Sequence, residues 1–118
     1  VFSAIDPDNP ATTSRTVIDG VIRDEIGFDG LLMSDDVSMN ALSGDFAQRA
    51  GAIVGAGCDV VLHCNGNPDE MRAVASVIPA LTGEPLRRAE AVMKAFGQPD
   101  ECDEAELRRE FEGLMALS

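Results

Sequence analysis

The stretch Gly30-Leu31-Leu32-Met33-Ser34-Asp35-Asp36-Val37-Ser38-Met39 decides how this chain is read. A short apolar run, Leu31-Leu32-Met33, bounded by Gly30, stops at the polar cluster Ser34-Asp35-Asp36. Such a run between turn signals suits a buried parallel strand. Two carboxylates at its C-terminal end add nothing to a core. They stand where α/β proteins place their chemistry, beyond the carboxyl ends of the strands. A nucleophile, a base, a metal ligand or an elaborate helix cap would each account for them. Side chains alternate along a strand, so Asp35 shares a face with Leu31 and Met33, and Asp36 shares one with Leu32 and Ser34. Only one of the two acids can face a site while that geometry holds. The other is left to fix the loop or to hydrogen-bond to the first.

Outward from this stretch the elements alternate. Val1 to Ile5 reads as a strand ending at Asp6, followed by the loop Pro7-Asp8-Asn9-Pro10. Ser14 is a candidate N-cap for a helix whose apolar residues are Val17, Ile18, Val21, Ile22 and Ile26, and Gly27 suits its stop. After the Gly30–Asp35 strand, a second helix is predicted from Asp45, with Phe46, Ala50, Ile53 and Val54 on one face and Gly57 at its end. Asp59 to Cys64 reads as another strand, and Asn65-Gly66-Asn67-Pro68 turns it into a third helix presenting Met71, Val74, Ala75 and Ile78. The rhythm is β-α-β-α-β-α, in units of the length expected of parallel crossovers. After Gly83 it ends, and residues 84–96 and 103–117 read as two terminal helices. Three such units could form an open sheet or the last part of a barrel, and periodicity does not separate these.

Composition narrows the function classes. The chain of 118 residues supports one core at most. It begins Val1-Phe2, with no initiator Met, as expected of a piece of a longer protein. A formal net charge of -12 disfavours nucleic acid and anionic membranes as partners. No stretch has the length of a membrane span, and none reads as a signal peptide. The acidic run Asp100-Glu101-Cys102-Asp103-Glu104 reads as a solvated helix start. Three cysteines, Cys58, Cys64 and Cys102, leave one unpaired in any disulfide scheme and show no zinc-ligand spacing. Reduced thiols and a cytoplasmic location are expected, with no metal and no cofactor. Neither Trp nor Tyr is present to stack against a sugar or base, and most of the five Phe are expected in the core.

Polar residues collect at the end of each expected strand: Asp6, then Ser34-Asp35-Asp36, then His63-Cys64-Asn65. Strand ends in register would set these groups along one rim, the anatomy of a β/α active site. Asp6 is read first as a cap for backbone N–H groups. The Asp35/Asp36 pair is read as functional, since one cap does not need two adjacent acids. His63 is read as a satisfied structural residue. Cys58 and Cys64, in apolar surroundings that raise a thiol pKa, are not credible nucleophiles.

Five sets of residues carry a resemblance. They are Phe2-Ser3-Ala4-Ile5-Asp6 with Pro10-Ala11-Thr12; Gly27-Phe28-Asp29-Gly30; Ser34-Asp35-Asp36-Val37-Ser38-Met39; Ala56-Gly57-Cys58-Asp59; and Cys64-Asn65-Gly66. In this order and spacing the chain resembles the bacterial β-N-acetylhexosaminidases of glycoside hydrolase family three, of the cytosolic peptidoglycan-recycling type. The likeness runs through residues 1–67 and fades in the terminal helices. It implies an α/β fold: the last three β/α units of a (β/α)8 TIM barrel, entered at the sixth strand, over residues 1–83, with a C-terminal helical extension over 84–118.

The resemblance also implies roles. Asp35, the first Asp after the Ser of the motif, corresponds to a nucleophile that forms a covalent glycosyl-enzyme in a retaining mechanism, as a strand-end carboxylate can toward an oxocarbenium-like centre. Met39 corresponds to a residue lining the sugar pocket, although a loop Met filling a core gap would look the same. Asp36, Asp6 and Asn65 are candidates to support the site from behind. The implied substrate is a carbohydrate, terminal β-linked N-acetylglucosamine on muropeptide fragments. The family's acid/base His and its Lys, His and Arg sugar contacts come earlier in the barrel. His63 does not match that loop His, so a chain of this extent is expected to need the N-terminal part of the barrel and to be inactive alone. A family-three β-glucosidase is the nearest alternative, although those enzymes usually carry Ser-Asp-Trp where Asp36 stands here. A small flavodoxin-like binding module is the non-enzymatic alternative, and no glycine-rich phosphate loop supports it.

Overall fold

In a computed structural model the described residues are 2–98 and 101–116. A 3-10 turn, Ala11–Thr13, leads into a helix over Thr16–Glu25 that is wound with π-type hydrogen bonds. Strand β1 (Met33–Asp36) follows, then helix α1 (Phe46–Ala56), strand β2 (Val60–Leu62), and helices α2 (Pro68–Ala75), α3 (Gly83–Ala95) and α4 (Glu104–Met115). β1 and β2 pair in parallel, with α1 as the connection between them.

Local chemistry explains the helix limits. The Asp45 carboxylate accepts the Gln48 N–H at 2.8 Å, and the Gln48 side chain accepts the Asp45 N–H at 3.0 Å, a reciprocal capping box that starts α1. Gly57 ends it at φ 114°, a left-handed conformation that a side chain resists. Asn67 caps α2 through Asp69 and Glu70 N–H, with Pro68 in the first turn where its missing N–H costs nothing. Asp103 caps α4 in the same way through Ala105 and Glu106, so the acidic run does open a helix; Asp100 lies outside the described residues.

The core gathers Ile18, Val37, Leu42, Ala50, Ile53, Ala56, Cys58 and Val74, with Ile22, Leu32, Met39, Phe46, Val61 and Ile78 packed against it. It lies where α1 meets α2, β2 and the 3-10 turn. The apolar positions Val17, Ile18, Ala50, Ile53 and Val74 are buried as their periodicity predicts, whereas Ile26, at 68 % exposure, and Met71 are not. The Cα radius of gyration is 18.5 Å, against about 13.5 Å for a compact domain of this length. The excess reflects how little of α3 and α4 is covered: Leu86, Val92 and Met93 on one and Leu107, Phe111 and Leu114 on the other are exposed.

Three sequence expectations are corrected. The segment expected as a first strand is a turn over Ser3–Ile5, with the Ile5 and Asp6 N–H groups both donating to the Phe2 carbonyl at 2.8 and 3.0 Å; Val1 lies outside the described residues. The apolar pattern is suited to a strand, yet a strand needs a ladder partner, and here the Asp35 N–H donates to the Thr12 hydroxyl at 3.2 Å instead. The expectation that most Phe lie in the core also fails. Phe2, Phe28, Phe96 and Phe111 are exposed, and Phe46 is half-buried. Finally, the β-α rhythm predicts an α-helix over this first helical segment, and Thr16–Glu25 instead takes the wider-wound π form.

Candidate active site

Ser34, Asp35 and Asp36 occupy the last three positions of β1, and the structure gives each a different environment. Ser34 is buried, Asp35 exposed and Asp36 half-buried, which is the alternation expected along a strand. The Asp36 carboxylate is consumed by backbone and hydroxyl groups. It accepts the Ser38 hydroxyl, the Ser38 N–H at 3.0 Å and the Cys64 N–H at 3.2 Å. The Ser38 hydroxyl, then the two N–H groups, hold its pKa below the ordinary 3.8. Asp36 is therefore the acid that fixes the loop.

Asp35 is the acid left accessible. One carboxylate oxygen accepts the Asp36 N–H at 2.8 Å, and among the described residues the other accepts no hydrogen bond. A nucleophile needs such a free oxygen at an open surface. Asp35 lines a hollow together with Pro10, Ala11, Thr12, Met39 and Ala41. The hollow thus brings Asp35 and Met39 together. The turn carrying Met39 is held by Arg49, which donates to the carbonyls of Gly44, Val37 and Met39 at 2.9, 3.2 and 3.4 Å and lies over the Phe46 ring at 5.4 Å.

The other expected rim residues are satisfied locally. Asp6 accepts the Asp8 and Asn9 N–H groups at 3.1 Å and the Ser14 hydroxyl at 2.6 Å. The Ser14 hydroxyl, then the Asn9 side chain, hold its pKa below 3.8. Ser14 in turn accepts the Val17 N–H at 3.1 Å, so Asp6 anchors the start of the first helix. Asn65 accepts the Asn67 N–H at 2.9 Å and donates to Glu70. His63 meets the same Glu70 carboxylate at 3.1 Å and packs edge-on against Phe46 at 5.8 Å. Asn65, then His63, hold the Glu70 pKa down.

A second polar cluster, at the opposite end of the sheet, escaped sequence reasoning. The Asp59 carboxylate, 2 % exposed, accepts Arg23 at 2.8 Å, the Leu32 N–H at 2.8 Å and Arg88 at 3.0 Å. Arg23 also donates to the carbonyls of Phe28 and Gly30, and Arg87 and Arg88 both reach Asp29. This network fastens α3 and the first helix to the N-terminal ends of the strands. The only signal for it in the sequence is an acid opening an otherwise apolar run, Asp59-Val60-Val61-Leu62.

Among the described residues no group of three or more His, Cys, Asp or Glu gathers to hold a metal ion. Among the same residues no helix is long and apolar enough to cross a membrane.

Comparison with known proteins bears on this geometry. Residues 1–95 match the family described as the N-terminal domain of glycosyl hydrolase family 3. The chain is 39 % identical over 97 residues to a beta-hexosaminidase of Bordetella parapertussis, an alignment covering 77 % of this chain and 26 % of that protein. It is 33 % identical over 119 residues to the beta-hexosaminidase of Shewanella frigidimarina, covering 99 % of this chain and 34 % of the relative. With the beta-hexosaminidase of Aromatoleum aromaticum it shares 45 % identity over 71 residues, covering 58 % and 19 % respectively. The chain thus spans between about a fifth and a third of the length of these relatives. The family match takes in both strands, the hollow with Asp35 and Met39, and α1 to α3, and on it the chain belongs to glycosyl hydrolase family 3.

Proposed function

We propose that the chain supplies the nucleophile of a retaining exo-β-N-acetylglucosaminidase that releases terminal N-acetylglucosamine from peptidoglycan fragments in the cytoplasm. Asp35 attacks the anomeric carbon while the bond from that carbon to the glycosidic oxygen breaks, the leaving oxygen taking a proton from the acid/base His outside these residues. In the covalent glycosyl-enzyme that results, water then adds to the same carbon, giving its proton back to that base and releasing the sugar and the Asp35 carboxylate. The observation that carries this reading is the division of labour between adjacent acids. Asp36 is taken up by three donors, whereas Asp35 presents a free oxygen to the hollow it shares with Met39. The beta-hexosaminidase names of the relatives support the substrate class.

The same reading takes β1-α1-β2-α2 as units near the end of a (β/α)8 barrel over residues 1–83, with residues 84–118 as a helical extension. It assigns the acid/base His and the Lys, His and Arg sugar contacts to sequence outside these 118 residues. Asp6 and Asn65 act only by holding loops.

The test uses the full-length protein with aryl β-N-acetylglucosaminide and aryl β-glucoside substrates. Asp35→Asn should lower kcat on the order of 10^4-fold or more while leaving the thermal transition in place. Asp36→Asn should cost far less. Faster turnover of the glucoside rejects the substrate assignment. Near-normal turnover by Asp35→Asn rejects the nucleophile.

A further inference from the structure

We propose that Ser34 is a positioning residue whose hydroxyl determines which of the two adjacent carboxylates faces the hollow. The inference rests on the reading of Asp35 as nucleophile and goes beyond it.

The β1–β2 ladder aligns Met33 with Val60 and Asp36 with Leu62. Three steps on β1 therefore correspond to two on β2, so β1 carries one extra residue, a bulge. A bulge interrupts the ladder and leaves backbone groups to be satisfied by other means. Here one side chain does it. The Leu62 N–H donates to the Ser34 hydroxyl at 3.0 Å, and that hydroxyl donates onward to the Asp35 carbonyl at 2.7 Å. Regular pairing resumes at once, with the Val37 N–H donating to the Leu62 carbonyl at 2.9 Å. Ser34 is only 5 % exposed, so water is poorly placed to substitute for the hydroxyl.

The register matters because a slip of one residue sends every following side chain to the opposite face. With the bulge in place, Asp35 opens to the hollow and Asp36 turns to Ser38 and Cys64. Without the hydroxyl, β1 can pair with β2 one residue earlier, which exchanges the faces of the two acids. A serine fits this task where alanine does not. It is small enough for the buried position and carries both the acceptor that Leu62 needs and the donor that the Asp35 carbonyl takes.

The experiment compares wild type, Ser34→Ala, Ser34→Thr and Asp45→Ala in the full-length protein. Three readouts are taken: kcat and KM on an aryl β-N-acetylglucosaminide, the thermal transition, and the rate and site of covalent labelling by a 5-fluoro-N-acetylglucosaminyl fluoride. Ser34→Ala should lower kcat and the labelling rate about 10- to 100-fold, as expected when about 90 to 99 % of the molecules take the slipped register in which Asp35 faces away, with KM changed less. Ser34→Thr, which keeps the hydroxyl, should recover most of both. Asp45→Ala, which weakens the cap of α1, should lower the transition without the kcat loss.

Unchanged kcat and labelling in folded Ser34→Ala overturn the proposal. So does a Thr variant that folds yet is as slow as Ala, or an equal kcat loss in Asp45→Ala. Should Ser34→Ala not fold, the Thr variant decides alone: near-normal kcat supports the hydroxyl, and a large loss overturns it. Wild-type label on a residue other than Asp35 overturns the nucleophile reading, and this proposal with it. Label on Asp35 with undisturbed kinetics in Ser34→Ala overturns the positioning role alone.

Discussion

The Asp36 carboxylate accepts the Cys64 N–H at 3.2 Å, and this bond joins the ends of β1 and β2 across the rim that carries Asp35. The same carboxylate receives Ser38 through both its hydroxyl and its N–H, so one acid ties together two strand ends and the turn leading to Met39. Each of these bonds favours the ionised form. The Asp36 pKa is accordingly below 3.8 in the folded protein.

The sign of the resulting pH dependence follows from linkage. A carboxylate whose folded-state pKa is depressed contributes stability that is present above its unfolded value and lost as pH falls through the folded one. Asp36→Asn should therefore be less stable than wild type at neutral pH, and the gap should close as pH falls below 3.8. Denaturant melts of both proteins from pH 7 down to the acid transition check this. A gap that stays constant across that range rules out the ionised Asp36 as its source.

The Asp59 cluster should behave differently. Asp59→Ala leaves the Leu32 N–H and two guanidinium groups without their shared acceptor, and breaking a buried ion pair from one side typically costs about 3–5 kcal/mol. Arg23 and Arg88 are 14 % and 15 % exposed and recover part of their hydration, so a loss near the lower end, about 3 kcal/mol, is expected. Asp59→Asn, which keeps an acceptor for Leu32, should lose less. Equilibrium unfolding of the full-length variants measures both. Because the cluster lies at the far end of the strands from Asp35, kcat per folded molecule should not change.

What could be read from sequence divides along the range of the interactions. Helix α1 was legible from Asp45, its apolar stripe and Gly57, because caps and a 3.6-residue period act within a few positions. The choice of Asp35 over Asp36 was not legible from alternation alone, since it depends on a bulge and on the Cys64 N–H 28 residues away. The Asp59 network, spanning separations of 36 and 29 residues, left no periodic trace. The first segment failed for a related reason. A local apolar pattern cannot supply the neighbouring strand, and Asp6 with Asn9 offered the chain a nearer set of hydrogen bonds.

Gly57 is a site where a single methyl group should matter. Its φ of 114° is one that L side chains rarely adopt, and a Cβ there would lie 3.0 Å from Ile18 Cγ2 and 3.1 Å from an Asp19 carboxylate oxygen. Gly57→Ala should destabilise by more than about 1 kcal/mol, since strain and crowding both exceed any entropic benefit of alanine in the unfolded chain. Gly55→Ala, inside α1 with nothing within 4 Å, is the control and should be neutral or stabilising. Thermal unfolding of the two full-length variants distinguishes them, and equal effects would show that the Gly57 conformation carries no special cost.

The cysteines offer a probe of the core that needs no substitution. Burial, with the neighbouring Asp59 carboxylate, pushes the Cys58 thiol up to about 11, whereas Cys64 and Cys102 are exposed. Thiolate is the reactive form, so at pH 8 Cys58 should resist alkylation by iodoacetamide while Cys64 and Cys102 react. Mass spectrometry of peptides after timed labelling reads each site separately. The Cys58 rate should rise when denaturant opens the packing of Ile18, Ile53 and Ala56, and should rise earlier in Asp59→Ala, where the anchor beside it is gone. Prompt labelling of Cys58 in the native protein would mean that this part of the core is not closed.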